Sequence, residues 1–266
     1  MGARDRARGG RRAALRIFGA LLLAAPVAAE AAPTRIEVRV ISKGAKFVGT
    51  SMGGAQIVVR DADTGELLAR GVTAGGTGDT ALIMKQAQRR HDPVSDETAA
   101  VFRATLELDA PRRLEVEAFG PLGQRQSAGG ATSTMWVVPG KHVTGGDGWL
   151  LELPGFVVDV LDPPAHQRRS GVRSVAVRAN VTMMCGCPVE AGGLWDAKAY
   201  EVRALVSRNG APLGEAPLAY TGETSQFAGE VAVPEPGAYE IVVYAYDPAT
   251  GNTGLDRTTV LVEPGS

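Results

Sequence analysis

The sequence has few of the residues that most catalytic and metal sites require. Among its 266 residues there are two cysteines and three histidines. No serine lies in a recognisable nucleophile elbow, and the glycine-rich stretches GGTGD and TGGDG lack the Gly-Lys-Ser/Thr ending of a phosphate-binding loop. We therefore expect no hydrolase and no nucleotide-binding site. The protein is predicted not to be an enzyme, with a thiol–disulfide redox activity as the alternative.

An excess of positive charge is also missing. The chain carries 28 basic and 29 acidic residues. Its first 31 residues hold six Arg together with Asp5 and Glu30, so the remainder has 22 basic against 27 acidic residues, a net charge of −5. A mildly acidic chain has no electrostatic reason to bind nucleic acid or an anionic membrane surface.

Long apolar runs are confined to the beginning of the chain. An arginine-rich start is followed by an apolar run over residues 15–29 and by small residues around Ala29 and Ala31. This is the pattern of a secretory signal peptide, residues 1–31, cleaved after Ala31. The run is too short and too rich in alanine to favour a permanent membrane span. We expect a periplasmic or secreted protein without stable membrane insertion.

Helical periodicity longer than about three turns is absent, and short alternating runs between turn residues predict strands instead. The first half has such runs at residues 35–42, 55–61, 67–73, 101–108, 113–120, 132–139 and 149–154. After PGFVVDVLDPP the pattern restarts and gives about seven more strands, with HQRRSG expected as a loop. The fold class predicted is all-β, with two consecutive β-sandwich domains, residues 32–153 and 154–266, and a long polar loop near residues 75–98.

Two hairpins carry family resemblances. The stretch IVVRDADTGELLARGVTAGGTGDT resembles the first hairpin of carboxypeptidase regulatory-like, transthyretin-like β-sandwich domains, and PEPGAYEIVVYAYDPATGNTG resembles a hairpin of bacterial immunoglobulin-like or copper-chaperone-like accessory domains. Both families consist mostly of non-catalytic modules. The resemblance implies a binding or accessory protein with a client or a metal-delivery partner.

Both cysteines lie in the stretch NVTMMCGCPVEAGG, as Cys185 and Cys187. An exported protein meets an oxidising compartment, which favours a disulfide. However, α-carbons two residues apart in an extended strand are roughly 6.5 to 7 Å apart, at or beyond the disulfide limit. Gly186 could fold the segment into a turn and allow a small, easily reduced ring, which suits a redox role. Packing is another alternative, since free cysteine is often buried.

A soft-metal site is the preferred interpretation of this stretch. Residues two apart in a straight strand share a face, so Met183, Cys185 and Cys187 are predicted on the core side and Met184 on the other. Thiolate and thioether ligands select monovalent copper, whereas tetrahedral zinc would need further ligands and no histidine lies within ten residues. We expect copper(I) as the cofactor, held by Cys185, Cys187 and Met183.

Other candidates carry weaker signals. Met135 and His142 could join a soft-metal site, although Met135 and Trp136 point to opposite faces of a strand, so that one of them is expected in the core. Trp195 could close over the cysteines or anchor the second core. DADTG, residues 61–65, and DPATGN, residues 247–252, are spaced like calcium loops but lack the full ligand set, which favours hairpin turns.

These observations predict an exported, non-catalytic binding or accessory protein that binds or delivers monovalent copper. A thiol–disulfide redox accessory factor and a plain adhesion or scaffolding module with incidental thiols are the alternatives.

Overall fold

The computed structural model describes residues 1–2 and 31–265. Strands dominate these residues, and the predicted all-β fold of β-sandwich domains is confirmed. The predicted signal peptide falls almost wholly outside the described residues. Within the described ranges, no helix has both the length and the apolar character needed to cross a bilayer.

The first half of the described chain forms two facing sheets. Its strands are β1 Ala32–Ser42, β2 Gln56–Asp61, β3 Leu67–Val72, β4 Phe102–Leu108, β5 Arg112–Gly120, β6 Gly129–Val137 and β7 Trp149–Leu153. One sheet has the order β4-β1-β7, with β1 and β7 parallel, and the other has the order β3-β2-β5-β6. Leu114, Val116 and Ala118 of β5 alternate with more exposed residues and are fully buried, because successive side chains point to opposite faces. They belong to what we call the first core.

The second half forms a second pair of sheets. Its strands are β8 Phe156–Asp162, β9 Gln167–Ser170, β10 Ser174–Met183, β11 Glu201–Arg208, β12 Ala211–Pro217, β13 Ala219–Tyr220, β14 Gln226–Ala232, β15 Gly237–Tyr246 and β16 Thr253–Glu263. The sheet orders are β13-β14-β10-β8 and β12-β11-β15-β16-β9. Alternate residues of β10, from Val175 to Met183, are buried in what we call the second core.

Strand β9 corrects the sequence analysis, which placed HQRRSG in a loop. Residues Gln167–Ser170 pair in parallel with β16 at the edge of the five-stranded sheet. All four residues are polar, so β9 has no apolar face from which alternation could be recognised.

The segment between residues 75 and 98 contains one short helix, α1 Thr80–Met84. The side chain of Asp79 caps this helix, since Oδ1 accepts the N–H of Leu82 at 2.6 Å. Further along, the Asp147 carboxylate accepts the N–H groups of Val94 and Ser95. Both ends of the intervening exposed stretch are therefore held by hydrogen bonds.

The two cores meet within one compact unit that includes residues 31–265. Asn252, which is 2% exposed, joins three segments where they meet. Its Oδ1 accepts the N–H of Gly155 at 3.2 Å, and its Nδ2 donates to the carbonyl of Lys43 at 3.2 Å. Lys43 N–H donates in turn to the carbonyl of Leu153 at 2.9 Å. A domain boundary at residues 153–154 stays a prediction.

Candidate site at the Cys-Gly-Cys turn

Strand β10 ends at Met183, and the chain then reverses in a tight turn. The N–H of Gly186 donates to the carbonyl of Met183 at 2.8 Å, and the N–H of Met183 donates to the carbonyl of Cys187 at 3.1 Å. Gly186 has a φ of 75°, a left-handed conformation that side-chain-bearing residues rarely adopt. The straight row predicted from Val175 to Cys187 is therefore wrong beyond Met183.

The turn brings the two cysteines together, and Cys185 and Cys187 form a disulfide. Their α-carbons are 5.3 Å apart, shorter than an extended strand allows. The left-handed glycine supplies this shortening, as the disulfide alternative predicted from the sequence. All cysteines within the described chain are accounted for by this bond.

The disulfide is buried, since Cys185 and Cys187 are 2% and 4% exposed. Both pack in the second core with Met183, whereas Met184 packs in the first core. The two neighbouring methionines thus point in different directions, as predicted, and face different cores. Met184 nevertheless lies beyond the end of β10, so strand alternation is not what separates them. The turn therefore lies where the two cores meet.

Met52 completes the sulfur environment and comes from the first half of the chain. It closes the short 3-10 helix Thr50–Met52, and its carbonyl accepts the N–H of Gly123 at 2.9 Å. Its side chain lies directly on Gly186, where an added Cβ would be 2.6 Å from the Met52 Sδ. Sequence analysis missed Met52 because no local pattern connects residues so far apart along the chain.

Ser225 holds the far side of the turn. Its hydroxyl accepts the N–H of Val189 at 3.1 Å, while its own N–H donates to the Val189 carbonyl at 2.8 Å. Its carbonyl accepts the N–H of Val181 at 2.8 Å. Ser225 is 3% exposed, so these bonds are shielded from water and fix the segment that follows Cys187 beside the end of β10.

Trp195 anchors the second core and also reaches the first half. The ring is 7% exposed, and Nε1 donates to the carbonyl of Gly44 at 3.0 Å. The loop before it is held by Asp196, whose Oδ1 accepts the N–H groups of Gly192 and Lys198 at 3.1 Å. These backbone hydrogen bonds, with Lys198 the largest contributor, lower the pKa of Asp196.

Met135, Trp136 and His142 lie outside this site. Met135 and Trp136 are 36% and 65% exposed on β6, so the expectation that one of them packs in the core is wrong. Met135 is paired with the buried Leu114 on the core side of β6, which lies at the edge of its sheet, whereas Trp136 is paired with Arg113 on the opposite face. His142 Nδ1 accepts the N–H of Arg35 at 3.2 Å.

Both calcium-like sequences form hairpin turns. Asp61 Oδ1 accepts the N–H groups of Asp63 and Thr64 at 2.9 Å. The hydrogen bond from Thr64 is the main cause that lowers the pKa of Asp61. Asp247 similarly accepts the N–H of Ala249 and the hydroxyl of Thr250. In the described ranges, no three His, Cys, Asp or Glu side chains are grouped as metal ligands.

No family model matches the chain, and no curated protein sequence does. Among solved structures, an engineered protein is 18% identical over 47% of this chain and 24% of its own, so this chain spans about a quarter of that protein, with a TM-score of 0.30. The fibronectin(III)-like modules of Clostridium thermocellum CbhA are 15% identical over 40% of this chain and 94% of theirs, with a TM-score of 0.26. Titin domains z1z2, solved with telethonin, are 13% identical over 88% and 98%, with a TM-score of 0.25.

These scores are too low to support an argument about function. The class of protein follows from the chain's own sheets and core: a β-sandwich protein with a buried Cys-Gly-Cys disulfide where two cores meet. The two family resemblances stay predictions.

Proposed function

We propose that this protein is an exported, non-catalytic binding module that takes up monovalent copper when its disulfide is reduced. The observation that carries the proposal is the convergence of Met52 with the Met183–Cys187 turn. Cys185 and Cys187 would supply thiolates, and Met183 or Met52 a thioether, which is the soft ligand set that copper(I) prefers. A client protein or a metal-delivery partner in the periplasm or outside the cell would receive the metal.

Copper uptake requires prior reduction, because the disulfide offers no thiolate. Two molecules of a small thiol would supply two electrons and two protons, break the Cys185–Cys187 bond and leave as their own disulfide. Copper(I) would then displace the thiol protons as it binds, so affinity should rise with pH. Burial of the turn would exclude water and slow reoxidation of the bound ion.

An anaerobic titration of the reduced protein with copper(I), against a competing chelator, tests this proposal. Cys185→Ser or Cys187→Ser should lower affinity at least about a hundredfold, because a hydroxyl is a hard and weak ligand. Met183→Leu and Met52→Leu should each weaken binding, whereas Met184→Leu, the matched control in the first core, should not. Binding no tighter than that of an unrelated dithiol peptide would refute the proposal.

A thiol–disulfide redox accessory factor is the second candidate, favoured by the disulfide itself. A partner thiol would attack one buried sulfur, so this role needs the turn to open. In a Cys187→Ser variant, the remaining Cys185 thiol should attack the disulfide of an oxidised partner, which forms a mixed disulfide and releases the partner's second thiol. If neither copper nor a mixed disulfide is found, the thiols are incidental and the protein is a scaffolding module.

A further inference from the structure

The outer face of the five-stranded sheet has an exposed apolar centre. In β11 and β15, Val206 and Val243 point into the second core, so Leu205 and Val242 point outward. Leu205 is 47% exposed and is directly paired with Val242 across the two strands. Two shallow clefts of about 460 and 560 Å³ share these two residues, and the second extends past Leu255 to the segment 126–128, which borders the sheet there.

An ion pair within the chain lies on either side of this centre: Glu215 with Arg203 at 2.8 Å, and Arg257 with Glu240 at 3.4 Å. Leu205 is paired with Glu215 of β12, and Val242 is paired with Arg257 of β16. One row across the sheet therefore reads Glu215, Leu205, Val242, Arg257, with an acid at one end and a base at the other. We call the four-strand surface that contains this row the outer sheet face.

We propose that the outer sheet face binds the same face of a second copy of the chain. We place a two-fold axis parallel to the strands and between β11 and β15. Each row then faces the same row of the second copy, with the order of its four residues reversed. Glu215 then faces Arg257 of the second copy, and Leu205 faces Val242. Another protein would need this order of charges, whereas a second copy already has it.

The neighbouring rows fit the same axis. In one of them Arg203 is paired with Tyr244, and Tyr244 with Leu255. Arg203 is ion-paired with Glu215 of its own chain at 2.8 Å, and the axis brings this pair opposite the Tyr244 ring of the second copy, where the guanidinium can also make a cation–π contact. In the other row Ser207 is paired with Glu240. There the axis brings the Ser207 hydroxyl, a hydrogen-bond donor, opposite the Glu240 carboxylate, an acceptor.

Association through the edge of the sheet is disfavoured. The edge strand β12 contains Pro212 and Pro217, which have no N–H to offer a further strand.

The outer sheet face measures about 19 Å across four strands and about 24 Å along seven residues, or roughly 450 Å² in each copy. The total of about 900 Å² is at the low end for specific interfaces, so we expect a weak and concentration-dependent dimer.

Sedimentation equilibrium of the purified chain, across about two decades of micromolar concentration, tests this proposal. The mass should rise from that of a monomer towards twice that value. Leu205→Glu should abolish the rise, while Leu67→Glu, at a leucine that is 48% exposed on β3, should not. A monomer at every concentration would leave the face to another protein and overturn the proposal, as would a dimer that survives Leu205→Glu.

Charge-swap variants test the axis itself. Glu215→Arg creates two like-charge contacts in a symmetric dimer, and Arg257→Glu does the same, so each should weaken association at least about tenfold. An equal mixture of the two variants should associate, because each copy then supplies the charge that the other needs. A mixture that stays monomeric would overturn the proposed pairing, since intramolecular damage would be the same in the mixture as in the single variants.

Discussion

At the scale of single residues, Gly186 makes the Cys-Gly-Cys turn possible for two separate reasons. Its φ of 75° shortens the distance between Cys185 and Cys187, and its missing side chain leaves room for Met52. Gly192, in the following loop, has a similar φ of 69° but has no atom within 4 Å of an added Cβ. Substituting Gly186 and Gly192 in turn therefore separates the backbone contribution to the free energy of unfolding from the packing contribution.

Gly186→Ala should lower the free energy of unfolding by about 2–4 kcal/mol, from a left-handed alanine and from the overlap with Met52. Gly192→Ala should cost only about 1 kcal/mol, because only the backbone term applies. Urea unfolding of the oxidised proteins measures both. In a Met52→Ala background the cost of Gly186→Ala should fall towards that of Gly192→Ala. Equal costs for the two substitutions in the parent chain would show that Met52 does not restrict residue 186.

Asp159 gives a pH-dependent prediction. Partial burial raises the pKa of this carboxyl, and the charge of Asp256 adds to the effect. Asp256 accepts the N–H of Val160 at 2.9 Å, which holds its carboxylate beside β8. When the pKa of a carboxyl is raised by folding, ionisation of that carboxyl destabilises the folded protein. Its contribution to stability is therefore present below the ordinary value of 3.8 and is lost as pH rises through the folded pKa.

Asp159→Asn should consequently raise the free energy of unfolding at neutral pH, by up to about 0.5 kcal/mol at this partly exposed position. The gain should disappear as pH approaches 3.8 and the parent carboxyl becomes neutral. Urea midpoints of parent and variant, compared pH by pH, cancel the titration of all other groups. A gain that grows on acidification would contradict the assigned sign.

The residues of the candidate site were predictable only in part. Alternation correctly placed Met183 in the second core. The preferred straight strand through Cys187 was wrong, and the alternative in which Gly186 folds the segment into a turn that allows a disulfide is the one the structure has. The role of Met52 was not predictable, because its contact depends on how the two halves pack. The expectation that Met135 or Trp136 lies in the core was wrong for a related reason: Met135 is on the core side, but a strand pattern does not show that β6 lies at the edge of its sheet.

At the scale of elements, strands with an apolar face were recognised and those without one were not. β5 and β10 alternate regularly between buried and exposed residues, which is the signal that period-two analysis detects. β9 is held by backbone pairing with β16 and by the contacts of Arg168 and Ser170 with the Glu263 carboxylate, so no apolar burial marks it in the sequence. The end of β10 at Met183 follows from the glycine turn, while apolar residues continue beyond it and conceal the end of the strand.

The exposed stretch after α1 should be the first site of proteolysis. Lys85, Arg89 and Arg90 are exposed and lie outside regular structure. Brief treatment with trypsin should cut there and give two fragments on a denaturing gel. The fragments should stay together on size exclusion, because β1 and β2, which precede the cut, pair with β4, β7 and β5, which follow it.

A variant with Arg89→Gln and Arg90→Gln is the matched control and should be cut more slowly, leaving only Lys85 in this stretch. First cleavage elsewhere in residues 31–265 would show that the stretch is better protected than its exposure indicates. Fragments that separate after a single cut would show that the strand pairing across it does not hold them together.

At the scale of the whole molecule, the two cores are coupled through a few buried polar contacts and shared apolar residues. Met184 and Val157 pack in the first core, although their neighbours in sequence, Met183 and Val158, pack in the second. Asn252 satisfies the backbone of Lys43 and Gly155 at the same point. A buried polar group that loses its partner typically costs 1–3 kcal/mol, so this side chain should contribute strongly to the coupling.

We therefore expect the slowest-exchanging amides of both cores to open together in the parent protein. Hydrogen exchange should give the same opening free energy for β5 in the first core and β15 in the second. Asn252→Ala should lower stability by about 2 kcal/mol and separate the two values, because unsatisfied groups at Gly155 and Lys43 weaken the contact between the cores. Asn180→Ala is the matched control, since Asn180 bonds Gln226 within one sheet. It should leave the two values equal to each other. Different opening free energies in the parent protein would mean that each sandwich unfolds by itself and that Asn252 couples nothing beyond its own hydrogen bonds.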